Sequence, residues 1–325
     1  MSGLLSDYDF VLPRELVASR PLPDRAASRM MVVDRRSGAI SHRMFRELPE
    51  FLEPGDLLVL NNSRVIPARL LTDDGKIELL LFAPMDGGRW RAFARPGKRT
   101  LPGHSFAIAG TTAHIESVDP QDGTRVVRFD PAPDLDARGH MPIPPYLGRE
   151  DDAEDRIRYQ TVYAREAGSV AAPTAGLHFT PEILGALPHT FVTLHVGPGT
   201  FLPVRTENLD EHRMHDEKFE VGAQAAEAIN KAGRVVVIGT TTLRVLESLP
   251  PGPVSAGAGS TDIFIRPGFA FQRTGALLTN FHLPKSTLFV LVCALAGSDL
   301  MQKAYREAVH EGYRFFSYGD CMLIL

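Results

Sequence analysis

The stretch from residue 66 to residue 145 contains only short apolar runs and no helical period across ten residues. Turns containing Gly, Pro or Asp separate these runs, and several strands at this spacing are typical of a small barrel or sandwich. The runs cover residues 76–82, 89–94, 105–108, 113–118 and 125–129. The sequence therefore predicts a small β-barrel domain over 66–145.

The residues on both sides of this insert alternate between strand and helix patterns, which is typical of an α/β sheet covered by helices. We predict a mixed α/β main domain, formed discontinuously by 1–65 and 146–325, that carries the inserted barrel. The predicted strands are 30–34, 57–60, 190–196, 234–238 and 261–265, and the predicted helices are 223–232, 241–249, 286–296 and 299–309. Residues 250–260 are predicted to form a flexible surface loop.

The composition narrows the class of protein. Hydrophobic residues make up 44% of the 325 residues and charged residues 23%, which excludes a disordered or collagen-like chain. Two cysteines, Cys293 and Cys321, are too few for a disulfide framework, and reduced thiols suit a cytoplasmic protein. The charged N-terminal segment and the short apolar segment 288–297 predict neither a signal peptide nor a membrane helix.

Charge is distributed unevenly along the chain, whose formal net charge is -4. Residues 64–129 hold ten basic and seven acidic side chains. Within 89–99 the cations alternate with Trp90 and Phe93, a pattern that suits an RNA backbone and exposed bases. The candidate RNA-binding residues are Arg89, Arg91, Arg95, Lys98 and Arg99. The alternative is a solvated strand face above core aromatics.

Polar side chains follow the predicted strand 57–60. Loops at the carboxyl ends of strands are where α/β sheets bind ligands. Asn61, Asn62 and Arg64 could supply amide donors and one charge to a base, a ribose or a phosphate. The alternative is an Asx turn in which Arg64 caps a carbonyl.

A second strand exit joins the strand 234–238 to a helix. Gly239, Thr240 and Thr241 lie at the helix start, where free amides and the helix dipole would hold a carboxylate or a phosphate. Arg244, one turn later, could supply a bidentate fork.

Small residues surround a histidine in two further segments, 170–179 and 194–201. Gly and small residues let the backbone approach a ligand closely, and histidine can act as an acid or a base. Gly197 and Gly199 lack the third glycine of a dinucleotide fingerprint. A structural histidine is the alternative. The candidate residues are Thr174, Gly176, His178, His195, Gly197, Gly199 and Thr200.

Two histidines, His212 and His215, are spaced i, i+3 and could present their rings to a metal from one helical face. No HExxH pattern accompanies them, so a metal-dependent hydrolase is kept only as an alternative function.

Two C-terminal segments also carry polar groups beside apolar ones. The segment 278–287 brings polar residues to a capped helix start, and 313–320 combines aromatic rings with a carboxylate, which together attract a cationic ligand. A packed core with polar edges is the alternative in both. The candidate residues are Asn280, His282, Lys285, Ser286, Tyr318 and Asp320.

Taken together, the ordered motifs resemble the S-adenosylmethionine:tRNA ribosyltransferase-isomerase family of queuosine biosynthesis, nearly end to end. The matching segments are 9–10, 12–13, 54–69, 139–146, 158–164, 170–180, 193–201, 212–215, 279–287, 313–320 and 322–324. The resemblance implies an α/β domain with an inserted β-barrel. It also implies transfer of the ribosyl group of S-adenosylmethionine to a 7-aminomethyl-7-deazaguanine at the wobble position of tRNA. The products are epoxyqueuosine-tRNA, adenine and methionine.

This chemistry leads to specific expectations for the site. The methionine carboxylate is assigned to Gly239–Thr241 and the sulfonium to Tyr318 and Asp320, while His178, His195 and His282 are assigned acid–base roles. S-adenosylmethionine is a co-substrate, and no metal or redox cofactor is expected. The expected partner is tRNA, without a membrane, and the expected state is a cytoplasmic monomer. A non-catalytic RNA-binding module remains the main alternative.

Overall fold

The computed structural model describes residues 3–197, 199, 204 and 206–325. The strands are β1 (Arg29–Val33), β2 (Ile40–Met44), β3 (Asp56–Asn61), β4 (Ser63–Val65), β5 (Arg69–Leu71), β6 (Glu78–Met85), β7 (Arg89–Arg95), β8 (Ser105–Ile108), β9 (Thr111–Val118), β10 (Arg125–Asp130), β11 (Glu166–Ser169), β12 (His189–Leu194), β13 (Glu217–Val221), β14 (Arg234–Ile238), β15 (Gly257–Thr261), β16 (Ala276–Asn280) and β17 (Cys321–Ile324). The α-helices are α1 (Leu135–Arg138), α2 (Ala153–Arg158), α3 (Pro181–Gly185), α4 (Ala223–Lys231), α5 (Thr240–Ser248), α6 (Thr287–Ala296) and α7 (Ser298–His310).

A nine-stranded sheet with the order β15-β13-β12-β3-β14-β16-β17-β1-β2 forms the centre of the main part. Strands β12, β3, β14 and β16 are mutually parallel, and β17 pairs antiparallel with β16. The fully buried β3 takes a central position because a strand covered on both faces must be apolar on both faces. Parallel strands end at one edge of the sheet, so the loops after β14 and β16 lie side by side.

The helices α4 to α7 contribute to the hydrophobic core on one face of this sheet, and a second core fills the other face. The helix α6 is apolar on nearly all sides, and its side chains are mostly buried. The predicted mixed α/β sheet and the predicted helices are confirmed. No single helix in the described residues is long and apolar enough to cross a membrane; only α6 and α7 taken together pass on length and composition, and they are bent by 118°.

One predicted strand and one predicted loop are wrong. Residues 262–265 lie outside any strand, although Ile265 is buried. An apolar segment can cover a hydrophobic core without forming hydrogen bonds to a neighbouring strand. The strand in this region is β15, which lies within and just beyond the segment predicted as a loop. It pairs with β13 at the edge of the sheet through its main chain, so apolar side chains are not required there.

The insert forms a separate six-stranded antiparallel sheet with the order β5-β6-β7-β10-β9-β8. Its inner side chains pack into their own hydrophobic cluster, which includes Leu79, Ala92 and Val127. No ladder joins the end strands β5 and β8 within the described part of the chain, so closure into a barrel stays a prediction. A short parallel pair, β4 and β11, lies where the chain enters the insert.

Candidate active site

Two adjoining cavities lie at the exits of the parallel strands. The larger has a volume of about 510 Å³ and is bordered by Phe93 and Asp122 of the insert and by Arg244 of the main part. The smaller, of about 60 Å³, is lined by the residues that follow β14 and by the end of β16. Leu288 and Phe316 line both cavities, so the two are neighbours. Ligand pockets for small molecules usually measure roughly 300–1,000 Å³, so the larger cavity can hold a nucleoside.

A buried ion pair forms one wall of the larger cavity. The Nη1 of Arg244 bonds to Oε2 of Glu217, and both side chains are almost fully buried. Glu217 also accepts a hydrogen bond from the amide of Gly197, at 2.9 Å. The Nη2 of Arg244 has no hydrogen-bond partner among the described residues. Arg244 therefore brings a permanent charge and one unsatisfied donor to this wall of the cavity.

The smaller cavity is lined by the start of α5. Gly239 has φ +87°, a conformation that favours glycine, and its amide donates to the carbonyl of Leu278 at 2.8 Å. The first amides of a helix have no acceptor within the helix, and no side chain caps α5. The Oγ1 of Thr241 and the Oδ1 of Asn280 are buried and lack partners in the described residues. The cavity thus offers both donors and an acceptor.

A chain of hydrogen bonds leads away from Asn280. Its Nδ2 lies 3.2 Å from Nε2 of His178, and Nδ1 of His178 lies 2.9 Å from Oγ of Ser28. Burial, and then the charges of Arg25 and Arg314, lower the pKa of His178 to about 3. His178 is therefore neutral at pH 7. It lies behind the smaller cavity rather than lining it.

The other two histidines assigned acid–base roles lie in different places. His282 lines the smaller cavity, where its Nε2 lies 3.0 Å from Oγ1 of Thr279. Burial lowers the pKa of His282 to about 3. His195 lines neither cavity, and burial also lowers its pKa. Its ring packs against Gly168, where a Cβ would lie 2.8 Å from Nδ1.

The residues assigned to the sulfonium line neither cavity. The hydroxyl of Tyr318 donates to Oδ1 of Asp155 at 2.8 Å. The carboxylate of Asp320 accepts hydrogen bonds from the backbone amides of Arg29, at 2.9 Å, and Arg314, at 2.8 Å. Burial raises the pKa of Asp320. Because these contacts hold the C-terminal segment to its neighbours, the side chains of Tyr318 and Asp320 do not reach either cavity, although both residues lie near other candidates, Tyr318 near His178 and Asp320 near Asn280. Aromatic rings at the larger cavity come instead from Phe93, Tyr146 and Phe316, none of which was assigned to the sulfonium.

Asn61 and Asn62, at the exit of β3, form hydrogen bonds with residues of β12. Asn61 is fully buried; its Nδ2 donates to the carbonyl of Leu194 at 2.9 Å, and its Oδ1 accepts the amide of Leu194 at 3.0 Å. Asn62 accepts a bond from Oγ1 of Thr193 at 2.7 Å, and Arg64 is exposed. Asn61 therefore fastens β3 to β12, and none of the three lines the two cavities.

Several remaining candidates do meet at the cavities. Lys285 and Ser286 line the larger one; Lys285 pairs with Asp9 at 2.8 Å, and the Oγ of Ser286 caps α6 by accepting the amide of Phe289. Gly199 also lines it, and Thr174 lines the smaller one. Thr200 lies outside the described residues.

The two histidines considered for a metal line the larger cavity but do not share a helical face. The backbone from 212 to 216 is not helical, because the chain there runs extended into β13. The ring of His212 packs edge-on against Phe264, with centroids 5.2 Å apart. Within the described ranges, no group of three or more His, Cys, Asp or Glu side chains could hold a metal ion.

The cations of the insert differ in how they are paired. Arg91 donates to Oγ1 of Thr124 at 2.9 Å and pairs with Asp122 at 3.2 Å, and Nε of Arg89 donates to the carbonyl of Asp86 at 2.8 Å. Arg95, Lys98 and Arg99 are exposed and form no ion pair with a described residue. These three are the cations most available to an RNA backbone.

Gly176 has a packing role that can be tested. A Cβ at this position would lie 2.0 Å from Oη of Tyr163, so Gly176→Ala should lower the free energy of unfolding by about 2–3 kcal/mol. The added Tyr163→Phe substitution removes the clashing oxygen, and the double variant should recover part of the loss. Urea unfolding of the three proteins measures this. Equal stability of Gly176→Ala and the parent would contradict the packing role.

The whole chain was compared with known proteins. The family model of queuosine biosynthesis proteins matches residues 5–324 of this chain. An S-adenosylmethionine:tRNA ribosyltransferase-isomerase of Anaeromyxobacter sp. (strain K) is 52% identical over 99% of both chains, and that of Symbiobacterium thermophilum is 51% identical over 99% of both. The crystal structure of S-adenosylmethionine tRNA ribosyltransferase from Thermotoga maritima is 38% identical, with a TM-score of 0.56 over 98% of this chain and 100% of that one.

Proposed function

Because the chain belongs to the queuosine biosynthesis protein family, with S-adenosylmethionine:tRNA ribosyltransferase-isomerases as close relatives, we propose that its two adjoining cavities form the active site of this reaction. The enzyme transfers and isomerises the ribosyl moiety of S-adenosylmethionine onto the 7-aminomethyl-7-deazaguanine at the wobble position of tRNA. Epoxyqueuosine-tRNA, adenine and methionine are the products.

The larger cavity is the proposed place of the adenosine part and of the modified base. The observation that carries this proposal is the unpartnered Nη2 of Arg244 at a cavity of about 510 Å³ between the insert and the main part. The bond from adenine to the ribose must break with both electrons leaving on adenine. A fixed cation with a free donor stabilises the negative charge that develops on the leaving base. The aromatic rings of Tyr146 and Phe316 offer faces to the nucleoside and the sulfonium.

The methionine carboxylate is proposed to bind at the start of α5, where free amides and the helix dipole favour an anion. His282 is the one of the three histidines that lines one of the two cavities, so it is the candidate for the acid–base role. Its lowered pKa keeps the ring neutral at pH 7. If His282→Ala keeps the turnover of the parent while folding normally, this role is wrong. No metal or redox cofactor is part of the proposal.

The insert is proposed to bind the tRNA as a small barrel domain over 66–145, attached to the discontinuous domain 1–65 and 146–325. The enzyme is proposed to work as a cytoplasmic monomer. Each phosphate contact contributes about 0.7–0.9 to the slope of log affinity against log salt.

The triple variant Arg95→Ala/Lys98→Ala/Arg99→Ala should therefore bind tRNA more weakly, with a slope reduced in magnitude by about 2–3. Filter binding across a salt series measures this. A matched variant that removes three exposed cations outside the insert, Arg36, Lys303 and Arg306, should keep the slope. An unchanged slope in the insert variant would show that these cations do not contact the RNA.

Release of free adenine is the test of the proposed function. The protein is incubated with S-adenosylmethionine and tRNA that bears the aminomethyl-deazaguanine, and the products are separated chromatographically. Adenine should form only when both substrates are present, and a chelator should leave its rate unchanged. A non-catalytic RNA-binding module would bind tRNA without releasing adenine. A metal-dependent hydrolase would lose activity with the chelator.

A further inference from the structure

The smaller cavity is lined by Asn280, whose side-chain oxygen has no role in the reaction as proposed above. Asn280 is 2% exposed, lies at the end of β16 and lines this cavity. Its Oδ1 is buried and has no partner among the described residues. A buried amide oxygen without a hydrogen bond costs free energy, which a bound donor would recover.

The orientation of this amide follows from its neighbours. The carbonyl oxygen of Asp320 lies 3.4 Å from Nδ2 of Asn280 and can only accept, so the amide nitrogen must face it. The same nitrogen donates to Nε2 of His178, which leaves the ring proton of His178 on Nδ1. Nδ1 donates to Oγ of Ser28, whose own proton goes to the carbonyl of Arg25 at 3.4 Å. A backbone carbonyl at each end therefore fixes the direction of the whole chain.

The other polar groups of the cavity complement this oxygen. The amides at the start of α5 and the hydroxyl of Thr241 are available to an anion, while Oδ1 of Asn280 is available to a cation or another donor. Both groups line a cavity of about 60 Å³, which is too small for a nucleoside. A carboxylate and an ammonium bonded to the same carbon fit this pairing, whereas a phosphate would face the amide oxygen unfavourably.

We propose that the smaller cavity binds the amino-acid end of S-adenosylmethionine, with Oδ1 of Asn280 accepting a hydrogen bond from the α-ammonium, and that His178 is the positioning residue that holds Asn280 in this orientation. The carboxylate lies at the start of α5. This inference rests on the proposed function and adds the recognition of the ammonium to it. His178 touches Asn280 and not the substrate.

The test compares S-adenosylmethionine with its deaminated analogue, in which hydrogen replaces the α-ammonium. A hydrogen bond to a charged group corresponds to a change of about 10- to 100-fold in affinity. The parent protein should show a KM for the analogue that is higher by about this factor, measured by adenine release. In Asn280→Ala the two KM values should agree within about threefold, because the acceptor is gone.

The role of His178 is tested with two variants. His178→Phe cannot accept from Asn280, so it should lose most of the discrimination between the two substrates. His178→Gln should restore it, since its amide can accept from Asn280 and donate to Ser28. Circular dichroism confirms folding, and if His178→Phe does not fold, the Asn280→Ala comparison and the His178→Gln variant carry the test.

The possible failures are distinguishable. If the parent releases adenine but uses both substrates with the same KM, or if Asn280→Ala still discriminates between them, the assignment of the smaller cavity is overturned and the proposed function stands. If His178→Phe folds and discriminates as the parent does, the positioning role is overturned. Absence of adenine release from S-adenosylmethionine itself would overturn the proposed function.

Discussion

Arg244→Met is expected to lower the free energy of unfolding by about 3–5 kcal/mol and to abolish measurable adenine release. The substitution removes the guanidinium but leaves the carboxylate of Glu217 buried without its partner. An uncompensated buried charge is far more costly than a missing surface contact. Urea unfolding and the adenine assay at a temperature where the variant is folded measure the two effects.

The double variant Arg244→Met/Glu217→Gln separates stability from function. The glutamine removes the unpaired charge and keeps a side-chain oxygen for the amide of Gly197. Most of the stability should return because a neutral pair of similar volume needs no counter-charge. Adenine release should remain absent, since the donor at the larger cavity is still missing. A stable double variant with the parent's turnover would contradict the role of Arg244 in catalysis.

The second large effect is a loss of stability in acid. Burial lowers the pKa values of His178 and His282 to about 3 in the folded protein, whereas an unfolded histidine has a pKa of about 6.5. Between these values the unfolded chain binds more protons than the folded one, so stability falls as the pH falls. From pH 7 to pH 5 each histidine should remove about 2 kcal/mol.

Urea unfolding at pH 7 and pH 5 measures this dependence. The variant His178→Gln/His282→Gln lacks both titrating rings and should lose about 4 kcal/mol less than the parent between these two pH values. The comparison within one variant pair removes the contributions of other titrating groups, such as the buried Asp320. The same acid dependence in both proteins would show that the two rings are accessible to protons in the folded state.

Much of the fold could be predicted from the sequence because buried strands and helices appear in it as apolar runs. The apolar runs that became β3 and β14 lie in the centre of the sheet, and the helix α6 follows its capping Ser286 as predicted. Edge strands are different, since β15 is held by main-chain hydrogen bonds and its side chains are mostly exposed. No hydrophobic period identifies such a strand.

The candidate site was predicted less completely, and the reason is geometric. Gly239 was predicted as part of a helix start that binds an anion, and Asn280 as one of the polar residues beside a capped helix start, but β16, which ends at Asn280, was not predicted. Glu217 was missed because its partner Arg244 is 27 positions away, and only the folded chain brings them together. Conversely, Asn61 was predicted to bind a ligand, but its side chain forms hydrogen bonds with the backbone of Leu194. The local sequence is the same for both roles, so it does not distinguish them.

The most direct test of the account is a crystal structure of the protein soaked with S-adenosylmethionine. The predicted result is electron density for adenine and ribose in the larger cavity beside Arg244, with the methionine end in the smaller cavity between Asn280 and the start of α5. Density for S-adenosylmethionine at another place, with both cavities open to solvent and without ligand, would contradict it.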